Sequence, residues 1–165
     1  MRKVLASLSA AVFLFTYGKS NAHCEIPCGI YNDELRIHQI EEYILTIEKS
    51  IRAIKELSSG LNDPLTFNQA VRWVNNKDRH AEEIQKIVWQ YFFTQRVKPV
   101  DSSDKEKYQK YLKELELLNK LSFYAMKVKQ SVDLKVVDKL RETLEEFEEV
   151  YFGKKHHEEH EEHKH

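Results

Sequence analysis

Six isoleucines, Ile37, Ile40, Ile44, Ile47, Ile51 and Ile54, step through the chain at intervals of three and four. That spacing returns to one face of an α-helix at every turn, whereas a strand would send successive members to opposite sides of a sheet. A long helix with one unbroken apolar stripe must bury it against other helices, and the rest of the sequence supplies them. Asn32 or Asp33 is placed to cap the first helix, Gly60 lies past its end, and Leu61-Asn62-Asp63-Pro64 makes a turn. A second helix is predicted with Phe67, Val71, Val74, Ala81, Ile84, Val88 and Tyr91 inward, ending before Lys98-Pro99 because proline disfavours helix in the preceding residue. Ser103 with Glu106 matches a capping box and opens a third, whose stripe is Tyr108, Tyr111, Leu115, Leu118, Leu121, Ala125 and Val128. Ser131 or Asp133 starts a fourth, with Val137, Leu140, Leu144, Phe147 and Tyr151 inward and Gly153 as its stop. The expected fold is all-α: an up-down-up-down four-helix bundle over residues 32–153. Trp73, Trp89, Phe92 and Phe93 are candidates for its core or for subunit contacts.

Composition agrees with this reading. Four glycines and three prolines in 165 residues are too few for a strand-and-turn fold, and 41% hydrophobic with 32% charged residues fits one soluble domain. A net charge of -1 gives no electrostatic case for nucleic acid, since basic residues alternate with acids along helix faces. No constellation suited to a hydrolase is present.

Residues 1–22 stand apart. Arg2 and Lys3 precede an apolar run from Val4 to Phe15, and Ser20-Asn21-Ala22 puts small residues at the -3 and -1 positions of a cut. This is the three-part pattern of a cleaved secretory signal, and the run is too short for the roughly 20 residues of a membrane span. The expectation is an exported protein, periplasmic or extracellular, without stable membrane association after cleavage. Removing residues 1–22 takes away three positive charges and no negative ones, leaving 23 basic against 27 acidic residues, a net charge of -4.

The chemistry lies where that cut would fall, in His23-Cys24-Glu25-Ile26-Pro27-Cys28-Gly29-Ile30-Tyr31, which holds both cysteines of the chain. A disulfide between Cys24 and Cys28 is one reading, although a bridge closing so small a terminal loop would do little for a bundle. Zinc is another, but two cysteines and one histidine supply only three of its four tetrahedral ligands. The third uses the cleavage. A cut after Ala22 gives His23 a free α-amine of pKa about 8; amine, next backbone amide and two thiolates can then share a plane around an ion. Planar nitrogen-rich geometry favours nickel or copper, and thiolates donate electron density.

This stretch resembles the nickel superoxide dismutase family, whose mature chains begin His-Cys-x-x-Pro-Cys-Gly-x-Tyr; all six fixed positions are present. The family's four-helix bundle agrees with the periodicity, so the resemblance extends loosely over residues 23–152. It implies one nickel ion per subunit, held by the His23 amine, the Cys24 amide nitrogen and the Cys24 and Cys28 sulfurs, with the His23 imidazole binding axially. Pro27 would turn the chain through a cis bond so that the sulfurs converge, Gly29 would allow close backbone passage, and Tyr31 would limit access to the open face. The reaction implied is disproportionation of superoxide to oxygen and hydrogen peroxide through a Ni(II)/Ni(III) cycle, in a homohexamer.

Beyond the hook the family pattern loosens. Where other members hold the axial histidine with a glutamate and an arginine, Arg36-Ile37 and Lys77-Asp78-Arg79-His80-Ala81 bring His38 and His80 to those places, with Glu41 and Arg79 as an alternative pair. Tyr91 is the counterpart of a second tyrosine that hydrogen-bonds the hook tyrosine. The remaining histidines, His156, His157, His160, His163 and His165, stand among glutamates in residues 154–165, a composition suited to weak metal binding or nickel loading. The alternative function is a secreted nickel-binding or nickel-delivery protein without turnover.

Overall fold

The computed structural model describes residues 28–153. Helix α1 runs Asp33–Leu57 and is followed by a single 3₁₀ turn, Ser58–Gly60. Helix α2 runs Pro64–Lys86 and continues without a break as a π-helix, Ile87–Arg96. Helices α3, Lys105–Lys129, and α4, Leu134–Phe152, complete the set, and there is no strand among the described residues. None of these helices is long and apolar enough to cross a membrane.

Each start is fixed by a side chain that accepts one of the orphan N–H groups of the first turn. Asn32 accepts from Leu35 at 3.0 Å and Asp63 from Thr66 at 2.8 Å, with Pro64 in the first turn where its missing N–H costs nothing. Asp133 accepts from Lys135 at 3.0 Å. The third start corrects the sequence reading. Its cap is Asp104, accepting from Lys107 at 3.2 Å, and helix begins at Lys105; the Ser103 N–H that a capping box would offer to Glu106 instead donates to Asp101 Oδ1 at 2.8 Å. Gly153 ends α4 with a φ of 91°, which side chains rarely tolerate.

Consecutive helices are neighbours and α1 also meets α4, so the four close into a ring. Contacts between neighbouring helices run in opposite chain directions: Lys110 near the start of α3 reaches Tyr151 near the end of α4, Tyr151 reaches Asp33 at the start of α1, and Lys77 within α2 reaches Val128 near the end of α3. This is antiparallel packing of an up-down-up-down bundle. Ile37, Ile40, Ile44, Ile47 and Ile51 are almost fully buried and meet Leu117, Leu118, Leu121, Val137, Leu140, Leu144 and Phe147 in one core. Each such side chain contributes about 1.5–3 kcal/mol by leaving water.

Helix α2 departs from expectation over its first half. Phe67, Val71 and Val74 are exposed, and with Ile54, Leu61 and Ala70 they line an apolar groove beside the α1–α2 turn. The inward line there runs instead through Ala70, Lys77, Ala81 and Ile84. Buried Lys77 donates to the Val128 carbonyl at 2.6 Å, the Lys129 carbonyl at 2.7 Å and Asp78 Oδ1 at 2.8 Å. Its ammonium thereby satisfies the last carbonyls of α3, where the helix dipole favours a cation. Among the four aromatics named from the sequence, Phe92 is in the core, Trp73 is half-buried, and Trp89 and Phe93 are exposed.

Candidate metal centre

The described part of the hook is Cys28 to Tyr31. Cys28 carries a free, exposed thiol. Gly29 has a φ of 75°, and a Cβ there would meet nothing within 4 Å, so glycine is required by backbone conformation and not by crowding. Tyr31 is partly exposed. His23, Cys24 and Pro27 lie outside the described residues, as do the five histidines of residues 154–165. Among the described residues no group of three or more histidine, cysteine, aspartate or glutamate side chains could hold a metal. A free cysteine thiol in a Cys-x-x-x-Cys pair led by histidine is a donor set that suits nickel, since thiolate and nitrogen ligands match its softness.

The bundle holds the chain firmly just after the hook. Asp33, the first residue of α1, accepts from the Tyr91 hydroxyl at 2.5 Å, the Tyr151 hydroxyl at 2.8 Å, and Arg96 through Nε at 2.9 Å and Nη2 at 2.7 Å. Burial pushes this carboxyl up, but hydrogen bonds from Arg96, Tyr91 and Tyr151 outweigh it and hold Asp33 below the usual carboxylate range. The same contacts act on the phenols: burial and then the bonded carboxylate push Tyr91 up to about 12, and Tyr151 is raised for the same two reasons. Asp33 keeps the Arg96 guanidinium charged, raising its pKa further.

The π-helix makes this four-residue node possible. Its turns close between residues five apart: Val97 N–H to the Phe92 carbonyl at 2.8 Å, with Thr94 Oγ1 and Gln95 Nε2 repeating the step to Trp89 and Gln90. Tyr91 and Arg96, five apart, therefore lie one π turn from each other and reach one carboxylate. In an α-helix they would sit on different faces. The Arg36 guanidinium stacks 5.2 Å over the Tyr91 ring and donates to Gln39 Oε1 at 2.8 Å, while its Nε is buried with no hydrogen-bond partner among the described residues.

His38 and His80 are each oriented by their own helix. His38 Nδ1–H donates to Glu41 Oε2 at 2.9 Å in an exposed pair, and His80 Nδ1–H donates to the Asn76 carbonyl at 2.7 Å with its ring edge-on to Tyr43. Both partners are acceptors, so in the neutral ring Nε2 is left as the acceptor. Asn76 is in turn fixed by Ser50 through its side-chain amide at 3.1 Å. Of the alternative pair, Glu41 is engaged with His38, and Arg79 is exposed. Tyr91 is buried, as its place on the inward stripe requires.

Asp33 was visible in the sequence only as a cap, Tyr151 only as an inward aromatic, and Arg96 not at all. A change of helix type has no periodic signature that would have brought the three together.

Against known families, the chain matches the one described as nickel-containing superoxide dismutase over residues 18–155, a span that takes in the hook and the whole bundle. No curated protein and no solved structure matches it. The family match covers well over half the chain and agrees with a free-thiol hook joined to a four-helix bundle: the chain belongs to the nickel-containing superoxide dismutase family.

Proposed function

We propose that the exported chain, cut after Ala22, disproportionates superoxide at a nickel ion held by the His23 amine and imidazole, the Cys24 amide nitrogen and the sulfurs of Cys24 and Cys28. Two superoxide anions and two protons give one oxygen and one hydrogen peroxide. Nickel, when bound, supplies a one-electron couple between its +2 and +3 states, tuned between the two half-reactions by anionic sulfur and amide donors. The protein's task is to hold those donors, admit a small anion and exclude larger reductants.

Individual residues divide that task. Gly29, in its left-handed conformation, turns the chain directly after Cys28, and by the resemblance Pro27 would turn it before. Tyr31 limits access. Tyr91 braces the first turn of α1 through Asp33, and by the resemblance alone His38 and His80 would be the residues that orient the His23 ring. Arg36 is the first basic residue after the hook and has no ion-pair partner among the described residues, so it supplies local attraction for an anionic substrate that a net charge of -4 does not. The exposed strip Phe67, Val71 and Val74 supports assembly of several copies, the hexamer of the resemblance.

The observation that carries this reading is the family match running through the hook, with Cys28 a free thiol beside Gly29. The test is Cys28→Ser in the mature chain. Nickel content, measured by mass spectrometry of the metal, and dismutase turnover should both fall to background while helical circular dichroism is unchanged. A variant that keeps nickel and turnover removes the thiolate from the reading; one that keeps nickel alone favours the nickel-delivery alternative.

A further inference from the structure

One backbone donor ahead of α1 is held by a side chain from another helix. The Asn32 N–H donates to the Tyr91 phenol oxygen, and the phenol donates onward to Asp33 Oδ1 at 2.5 Å. Arg96 grips that carboxylate at both oxygens, from Nε at 2.9 Å to Oδ1 and from Nη2 at 2.7 Å to Oδ2. Asn32 is fixed on its other side as well: its carbonyl accepts from the Arg36 N–H at 3.3 Å and its side chain caps α1. Asn32 is therefore tied to α1 by its carbonyl and side chain and, through one phenol, to the π-helix by its N–H.

We infer that Arg96 is a positioning residue for the reaction, acting through Asp33 and Tyr91 to fix the Tyr31–Asn32 peptide; the role rests on the superoxide function proposed above. The constraint passes in three steps. The guanidinium orients the carboxylate, the carboxylate orients the phenol, and the phenol holds the Asn32 N–H. That N–H lies in one rigid plane with the Tyr31 carbonyl and the Tyr31 Cα, so holding it leaves Tyr31 only rotation about its own bonds. Burial adds little, because Tyr31 is 40% exposed and outside the core cluster. The side chain that limits access is thus set by a cation on another helix.

Both the arginine and the π-helix are needed for this. A planar guanidinium spans the two carboxylate oxygens and still leaves each a lone pair for a phenol, Tyr91 at Oδ1 and Tyr151 at Oδ2. A lysine ammonium would meet the carboxylate as a single point charge. Residues five apart share a face in π geometry, which is rare and concentrates at functional sites. The run of ten such residues, Ile87–Arg96, ends on the arginine itself. Without Arg96 the carboxylate is free to turn toward solvent, the phenol loses its acceptor, and the Asn32 N–H opens with it.

The experiment compares the full chain beginning at His23 with its Arg96→Gln, Tyr31→Ala and doubly substituted variants. In the metal-free proteins the Asn32 amide proton should exchange about tenfold faster in Arg96→Gln, measured against core amides such as that of Ile44 in the same chain. In the nickel-loaded proteins kcat/KM for superoxide should fall about tenfold in Arg96→Gln, whereas the same substitution in the Tyr31→Ala chain should change it by less than about twofold. A purely structural ion pair would repeat its loss in both chains. Unchanged relative exchange at Asn32, or a tenfold loss that persists without Tyr31, would overturn the role. Should Arg96→Gln fail to fold, Arg96→Lys, which keeps the charge and gives up the planar fork, carries both measurements. A nickel-loaded wild type without turnover sinks the superoxide reading instead, and exchange at Asn32 still decides whether Arg96 holds the peptide.

Discussion

Replacing Asp33 tests how much of the bundle's stability is concentrated two residues after the hook. Asp33 and Arg96 keep side-chain exposures of 14% and 27%, so the pair lies between surface ion pairs worth about 0–1 kcal/mol and buried ones whose disruption costs about 3–5 kcal/mol. Asp33→Asn leaves Arg96 without its counter-charge and offers two phenol donors a poorer acceptor; a loss of about 3 kcal/mol follows from that intermediate position. For a bundle of this size 1 kcal/mol corresponds to roughly 3–5 °C, so Tm should fall by about 10 °C. The assay is thermal unfolding followed by circular dichroism on the apoprotein, repeated across pH. Because the folded pKa of Asp33 is depressed, its contribution is present above the unfolded value of about 3.9 and is lost as pH falls through the folded value. The gap between wild type and Asp33→Asn should accordingly be full near neutrality and shrink below pH about 4. A variant within about 0.5 kcal/mol of wild type at pH 7, or a gap that persists undiminished in acid, would refute the reasoning.

Three further outcomes are expected. Lys77→Met should lower stability by about 2–3 kcal/mol in urea denaturation, because the last carbonyls of α3 lose a buried charged donor; an unchanged midpoint would contradict that role. Tyr91, whose folded pKa is raised to about 12, contributes stability that is complete below pH about 10 and is lost as pH rises toward 12, so Tyr91→Phe should flatten the alkaline limb of a stability–pH curve. If copies assemble through the exposed strip, as proposed, Phe67→Ser with Val71→Ser should lower the sedimenting mass to that of one chain while leaving helicity intact; a mass equal to wild type would contradict assembly through that strip.

The isoleucine ladder as far as Ile51, the second half of the third stripe (Leu118, Leu121, Ala125, Val128) and the fourth stripe were legible because their core lies within one chain, where apolar period and burial coincide. Ile54, Tyr108, Tyr111 and Leu115 are only half-buried, and Leu117, off the predicted stripe, is in the core. The start of α2 was not. Phe67, Val71 and Val74 have the right period, but an outward apolar stripe reads the same as an inward one, and nothing in the sequence marks Lys77 as buried. Asp104 and not Ser103 caps the third helix, because Ser103 sits in a turn whose Asp101 carboxylate takes the N–H that Glu106 would have accepted, and the helix starts one residue later. At the candidate centre the hook could be read as a motif, since its chemistry depends on residues close together in sequence. The node at Asp33 could not, because it joins positions 33, 91, 96 and 151 through a π-helical change of phase.

The claim on which the function stands is that the amino group of His23 is itself a ligand. Inserting a single alanine ahead of His23 in the mature chain, then measuring nickel content and superoxide turnover on one preparation, addresses it directly. Turnover should disappear with the bundle's helicity unchanged. An extended chain that still binds nickel through its thiolates and disproportionates superoxide at the native rate would contradict it.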